Sequence, residues 1–429
     1  MTLTSIEFAS STSETGGAER WEVVTIASDI GIGAPSPVDV ETDADGRIHL
    51  AYGGVLKDDG VYVAHSILED DNVRTEVVPG TKMSGGSRSI AITTDGNPMI
   101  GYAGFGWDFH LAVRGENGWQ TEEIPRPGRF ATEGAISATD NQGRKALPIA
   151  LTVDRAGAVH VAFPLIDMNG AYAVKRGGVW KAETIPDCTM NDKAQILFDK
   201  WGEPMVRCVD YPENGGPWRQ FIASRNGGTW RREDIGIEGW VDQLLTHRDG
   251  TLVGLIRNWD ARTVSLATRD QSGWYTSEIL TGTAVSSVTA TLDSAGKFHI
   301  GYQDWENGTL GYLTGDDEHW STLVVDRSRD PTGRAGVGCR VAQRPDGSIV
   351  LAYAEYTDPA NYTGSIKVAR GPAGAPPPIP PAGSGAAPLL AQAILTTVVF
   401  LPPAMLGLIL AITRLRRSSA ARPPPVESS

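Results

Sequence analysis

One pattern limits the folds open to this chain more than any other. A four-residue turn ending in glycine, followed by an alternating apolar run, occurs seven times. The copies are "DADGRIHLAY" (43–52), "TTDGNPMIGY" (93–102), "DRAGAVHVAF" (154–163), "DKWGEPMVRC" (199–208), "HRDGTLVGLI" (247–256), "DSAGKFHIGY" (293–302) and "RPDGSIVLAY" (344–353). Their glycines, Gly46, Gly96, Gly157, Gly202, Gly250, Gly296 and Gly347, are separated by 50, 61, 45, 48, 46 and 51 residues. A repeat of this size marks a solenoid, a propeller or an array.

Each repeat holds four strand-like runs, named here A to D, with the glycine turn between A and B. Strand D is the most regular. Trp119, Trp180, Trp230, Trp274 and Trp320 each open it, and Ile124, Ile185, Ile235, Ile279 and Val325 follow five positions later. Four-stranded units of about 40–50 residues are what a β-propeller is built from. The ends of the chain choose the closed form. The last repeat stops after strand C, "SIKVAR" (365–370), while an orphan strand D, "RWEVVTIA" (20–27), stands at the start with Trp21 and Ile26 in register. Pairing the two removes an open sheet edge. The expected fold is all-β, a seven-bladed propeller over residues 20–371 closed by its N-terminal strand, after a disordered segment 1–19.

Composition narrows the partners. The 50 glycines and 27 prolines suit a turn-rich β protein, and a net charge of −13 argues against nucleic acid, which requires a basic face. Cys188, Cys208 and Cys339 form neither a disulfide framework nor a zinc pattern. A Cys188–Cys208 bridge suits an oxidising compartment, and buried free thiols are the alternative. His49, His160 and His299 recur at one strand B position, which a repeat spreads over different blades, so they read as core or groove-lining residues rather than a metal site. "DADG" (43–46) reads as an Asx turn rather than a calcium loop. Nothing calls for a cofactor.

The C–D hairpins "SRNGGTW" (224–230), "TRDQSGW" (268–274) and "TGDDEHW" (314–320) resemble the Asp box, Ser/Thr-x-Asp-x-Gly-x-x-Trp, of sialidase-like propellers built from bacterial neuraminidase repeats, with spacing one residue short. The resemblance covers about residues 20–371. It implies a propeller and, for the family's enzymes, an arginine triad holding a carboxylate, a Tyr–Glu nucleophile and an Asp acid. The family's Arg-Ile-Pro-like segment is missing here. Arg88 and Arg340 lie on expected A strands facing a central channel, where ion pairing with carboxylates such as Asp242 is the plainer role. No acid/base pair stands out. The chain therefore reads as a binding module, with a sialidase-like glycoside hydrolase as the alternative.

Topology points to a surface. In an antiparallel four-stranded blade the A–B and C–D turns share one face, and the B–C and D–A loops share the other. The second set carries Trp107, Asp108, Asp210, Tyr211, Trp259, Asp260, Asp304 and Trp305, and includes the long connection 126–146. Loops on a rigid scaffold are where binding residues gather. Aromatic rings beside carboxylates suit a glycan, by stacking and hydroxyl contacts, and suit a protein partner equally.

After Arg370 a Pro/Gly/Ala-rich linker (372–388) leads to an uncharged apolar segment, 389–413, long enough to span about 30 Å of hydrocarbon. "RLRR" (414–417) opens a basic, then polar, tail to 429, which favours the C-terminus inside and the propeller outside. The first 20 residues have no signal-peptide pattern. Either the true start lies upstream, or the chain is tail-anchored with a cytoplasmic propeller.

Overall fold

All seven glycine turns adopt one geometry in the computed structural model. It describes residues 21–31, 38–56, 60–81, 88–104, 108–127, 148–165, 169–190, 194–210, 219–247, 249–316, 319–330, 332–358 and 363–373. The glycine N–H bonds the carbonyl of the first turn residue, as Gly46 does Asp43 at 3.0 Å, and the first residue's N–H bonds the carbonyl four positions on. The closing glycine must then take a left-handed φ, and the seven values lie between 77° and 87°. Any side chain there is strained. Where the turn opens on Asp, as at Asp43, Asp154 and Asp293, its Oδ1 also accepts the N–H groups two and four residues on. This is the Asx geometry expected of "DADG".

These turns join strands A and B of seven four-stranded antiparallel sheets. The sheets span residues 38–77, 88–123, 150–185, 196–234, 240–281 and 285–327 for blades 1 to 6, and 334–373 with Glu22–Gly31 for blade 7. All regular structure among the described residues is strand. Because the side chains of a strand alternate between the faces of its sheet, apolar residues sit on both faces and the cores form between blades. Met99, Phe109 and Leu111 of blade 2 thus share one cluster with Val161 and Phe163 of blade 3.

The N-terminal strand closes the ring as the sequence predicts. Glu22–Gly31 pairs antiparallel with Thr363–Ala373, from Glu22 opposite Arg370 to Gly31 opposite Thr363, and runs four residues beyond the expected end. Ile26 and Ile30 enter the core shared by blades 7 and 1, with Val38, Leu50, Ile366 and Val368. Trp21 packs edge-on against Tyr312 of blade 6, ring centroids 4.9 Å apart. One strand therefore seals two seams. Ser348, beside the last glycine turn, lies opposite Ala373, so both ends of the ring emerge at the face of the A–B turns.

A second repeat joins neighbouring blades. A cation at the outer end of strand C meets a carboxylate on strand D of the preceding blade: Arg114 with Glu76 (2.8 Å), Lys175 with Glu122, Arg225 with Glu183 (2.6 Å) and Arg269 with Glu233 (2.7 Å). In the last three, the glutamate stands three residues after the tryptophan that opens strand D. Half-exposed pairs of this kind contribute about 0–1 kcal/mol each, and help to fix the register of the seams.

Cys188 and Cys208 form a disulfide, which ties the chain after strand D of blade 3 to strand B of blade 4, while Cys339 is buried outside any disulfide. No helix among the described residues is long and apolar enough to cross a membrane, and segment 389–413 lies outside them.

Removing residues 1–31 should leave Ile366 and Val368 uncovered and lose two buried isoleucines, each worth about 1.5–3 kcal/mol. The expected outcome is aggregation or a large drop in melting temperature, partly restored by an added peptide of residues 20–31. A truncated protein that melts like the intact one would contradict the closure.

Candidate functional site on the loop face of blades 5 and 6

The blades that carry the loops are joined at an inner hub. The seven A strands surround an axial cavity of about 280 Å³. Each presents its inner edge to its neighbour rather than to a paired strand, so backbone groups there need other partners. Side chains at one A-strand position supply them. Asp39 Oδ2 accepts the Ile90 N–H at 3.0 Å, and Ser89 Oγ accepts the Leu151 N–H at 3.3 Å. Gln195 Oε1 accepts the Leu244 N–H at 2.8 Å, and Gln243 Oε1 that of Ala290 at 2.7 Å. Both glutamines also donate Nε2–H to the carbonyl of the same residue.

Arg340 occupies this position in blade 7, with its Nε 3.6 Å from Asp39 Oδ1. Asp242 lines the cavity too, and pairs with Arg257 on the next strand of its own blade, Nε to Oδ2 2.8 Å, with Asp242 only 4% exposed. The reason is geometric. Asp242 sits at a bulge, where the register slips between Val241 and Gln243, which gives the ring-facing place to Gln243. Arg88 lines the cavity, but its guanidinium packs on the backbone of Gly53, where a Cβ would lie 2.1 Å from Nη1. Its Nε and Nη1 have no hydrogen-bond partner among the described residues, and burial lowers its pKa to about 10 against the pull of Asp39. Enclosure by the ring, with Asp39 nearby, pushes the Glu41 carboxyl up, although its side chain is open to the cavity.

On the loop face, Trp107 and Tyr211 fall outside the described residues, as does most of 126–146. Asp108 pairs with Arg126 (3.1 Å) and Asp210 with Arg232 (3.1 Å). The remaining four expected residues gather on adjacent blades. The B–C turns "NWDARTV" (258–264) and "DWENGTL" (304–310) are structural twins. Asn258 Oδ1 accepts the Ala261 N–H, and Asp304 Oδ1 the Asn307 N–H, at 3.0 and 3.1 Å. Arg262 and Gly308 take equivalent left-handed φ values, 57° and 61°. Each turn lifts one tryptophan into solvent, Trp259 to 45% and Trp305 to 42% exposure, and Asp260 is exposed beside the first.

Three groups that single-residue reading missed fix this arrangement. An ion pair between Arg262 and Glu306 bridges the two turns. The Arg334 guanidinium lies 5.5 Å from the centroid of the Trp305 ring, held by Nη1–H bonds to the carbonyls of Thr332 (3.2 Å) and Gly333 (2.9 Å). A cavity of about 300 Å³ opens nearby on the same face, lined by Arg219, Gln220, Asp234, Ile237 and Gly239. Gln220 braces its rim, accepting from Val241 N–H and donating to the Gly239 carbonyl. Aligning the two B–C turns with each other is the signal that would have found the pair.

The comparisons bear on the fold. No family model matches the chain, and no curated protein matches it. Many solved structures do. A fungal alcohol oxidase of the AA5 family, solved with copper, is 11% identical with a TM-score of 0.52, over 86% of this chain and 79% of its own. YCF48 bound to a D1 peptide is 12% identical with a TM-score of 0.47, over 86% and 99%. A protein of unknown function from Dyadobacter fermentans is 13% identical with a TM-score of 0.46, over 81% and 98%. At such identities the likeness is one of fold: a seven-bladed β-propeller.

Asp242→Ala should be costly. Removing one partner of a buried pair strands the other charge, at about 3–5 kcal/mol, to be read by chemical denaturation. Arg262→Ala, in a half-exposed pair, should change stability by about 1 kcal/mol or less. Equal costs for the two would undo this reading of the hub and the rim.

Proposed function

We propose that the protein is a binding module which engages a glycan or a protein through its B–C and D–A loop face, centred on blades 5 and 6. One observation carries the reading. Two tryptophans stand half-exposed on twin turns of neighbouring blades, and an ion pair holds the turns together. Apolar rings held out in water by a rigid frame lose little freedom on binding, which is why such anchors dominate interfaces. The hub supports the same division of labour, since Asp39, Ser89, Gln195 and Gln243 are engaged in joining blades. A sialidase-like hydrolase would require an arginine triad converging in one pocket; Arg88 and Arg340 line the axial cavity, while Arg257 is engaged with Asp242 of its own blade.

The module is anchored, in this reading, by segment 389–413, with the propeller outside the cytoplasm. The uncharged span followed by "RLRR" supports it, and so does the Cys188–Cys208 bridge, since disulfides persist in oxidising compartments.

Two measurements test these points. Replacing Trp259 and Trp305 together by alanine should weaken binding of any ligand found on a glycan array or a displayed-protein library by about 2 kcal/mol, some 30-fold. A ligand held equally well by the double variant would move the site elsewhere. For location, alkylation of denatured, unreduced protein from its native host should label one cysteine, Cys339. Three labelled cysteines would favour the tail-anchored, cytoplasmic alternative.

A further inference from the structure

The three histidines at the repeated strand B position are all buried, and each reaches back to an aspartate six residues earlier. Asp154 Oδ2 lies 3.1 Å from His160 Nε2, Asp293 Oδ2 3.3 Å from His299 Nε2, and Asp43 Oδ2 3.1 Å from His49 Nε2. In blades 3 and 6 the other ring nitrogen meets the hydroxyl of a strand C tyrosine, Tyr172 or Tyr312. Blade 1 departs from this. The residue equivalent to those tyrosines is His65, opposite Ala51 as Tyr172 is opposite Ala162. His49 Nδ1 lies 3.2 Å from His65 Nε2, and His65 Nδ1 lies 3.3 Å from Glu76 Oε1. Glu76 Oε1 in turn accepts from Arg114 Nε of blade 2 at 2.8 Å.

Counting protons separates the blades. A hydrogen bond needs one proton between its two heavy atoms, and a neutral imidazole carries one N–H. In blades 3 and 6 there are two gaps, Asp–His and His–Tyr. The imidazole N–H fills the first and the tyrosine O–H the second. In blade 1 there are three gaps, Asp43–His49, His49–His65 and His65–Glu76, bounded by two carboxylates that only accept. Two neutral histidines supply two protons, so one gap stays empty and two lone pairs face each other across it. A third proton fills the row.

We infer that the His49–His65 pair is a site that takes up a single proton, and that its occupancy sets the strength of the seam between blades 1 and 2. Asp43 and Glu76 attract the proton, while Arg47 on Asp43 and Arg114 on Glu76 oppose it. The edge of Trp119 from blade 2, 5.2 Å from His65, covers the site from the other side. Burial prevails over the carboxylates. It lowers the pKa of His49 and holds that of His65 down to about 4, with the neighbouring His49 adding to the effect. The row is therefore one proton short at neutral pH and fills on acidification. With folded values below the unfolded value of about 6.5, the unfolded chain binds the proton first. Stability is full above about 6.5 and falls as the pH drops towards 4. The added charge also makes His65 compete with Arg114 for Glu76, so the loss begins at this seam.

Histidine side-chain nitrogen NMR on the full-length protein between pH 7.5 and 3.5 tests the site. The expected result is uptake of one proton shared by His49 and His65. His65→Tyr, which installs the residue of blades 3 and 6, should abolish the uptake. Glu76→Gln should lower its midpoint by about one pH unit, a tenfold loss of proton affinity. Independent titration of both rings near 6.5, no uptake before unfolding, or uptake that survives His65→Tyr would each overturn the inference. If His65→Tyr does not fold, hydrogen exchange of the unaltered protein decides. Amides of 72–77 and 109–115 should lose protection between pH 6.5 and 4.5 before those of blades 3 and 6, after correction for the intrinsic pH dependence of exchange. A uniform change around the ring would reject the inference.

Discussion

Everything in this molecule depends on an edge that must not stay open. No blade can bury its two faces alone, so each leans on its neighbours and stability passes around the ring from seam to seam. A ring has no end at which to place a protective cap, and an unpaired final strand would leave a row of backbone donors and acceptors exposed beside a core. The chain resolves this by giving its first strand to its last blade, where Ile26 and Ile30 meet residues more than 300 positions away. The cost is loop-closure entropy, which grows only slowly with the length of chain enclosed.

The hub answers the same demand at the axis with different groups. Asp39, Ser89, Gln195 and Gln243 differ in size and charge, yet each supplies an oxygen to a backbone N–H of the next blade. At the outer rim, cations and glutamates repeat the connection through side chains alone. The blades are thus held at the inner and outer radii, with apolar packing between. Specialisation then falls to the B–C and D–A loops, which neither set of contacts constrains.

How much of this could be read from the residues depends on whether the information was local. The glycine turns and the Trp-to-Ile spacing of strand D are local, and they gave the blade count and the closing strand. Trp259 and Trp305 were recognisable as loop aromatics. Their pairing was not, because it needs blades 5 and 6 side by side and the Arg262–Glu306 bridge between them. The hub belt was hidden by its chemical variety, since nothing in an Asp, a Ser and two Gln announces a shared task. The pairing of Asp242 with Arg257 was hidden too, because it follows from the bulge at Val241–Gln243, and single-residue slips of this sort leave no mark in an alternating pattern. The two half-cystines were visible as a candidate pair, and only the fold brings them together.

The shared exit of both ends has a mechanical consequence. Tension on the chain beyond Ala373 enters the ring along the axis of Thr363–Ala373, a strand flanked by Ser348–Asp358 on one side and Glu22–Gly31 on the other. Pulled lengthwise, its hydrogen bonds on both flanks bear the load together in shear, instead of yielding one at a time as in peeling. The first strand of the chain therefore also acts as a splint, and a tug on one terminus is resisted by the other.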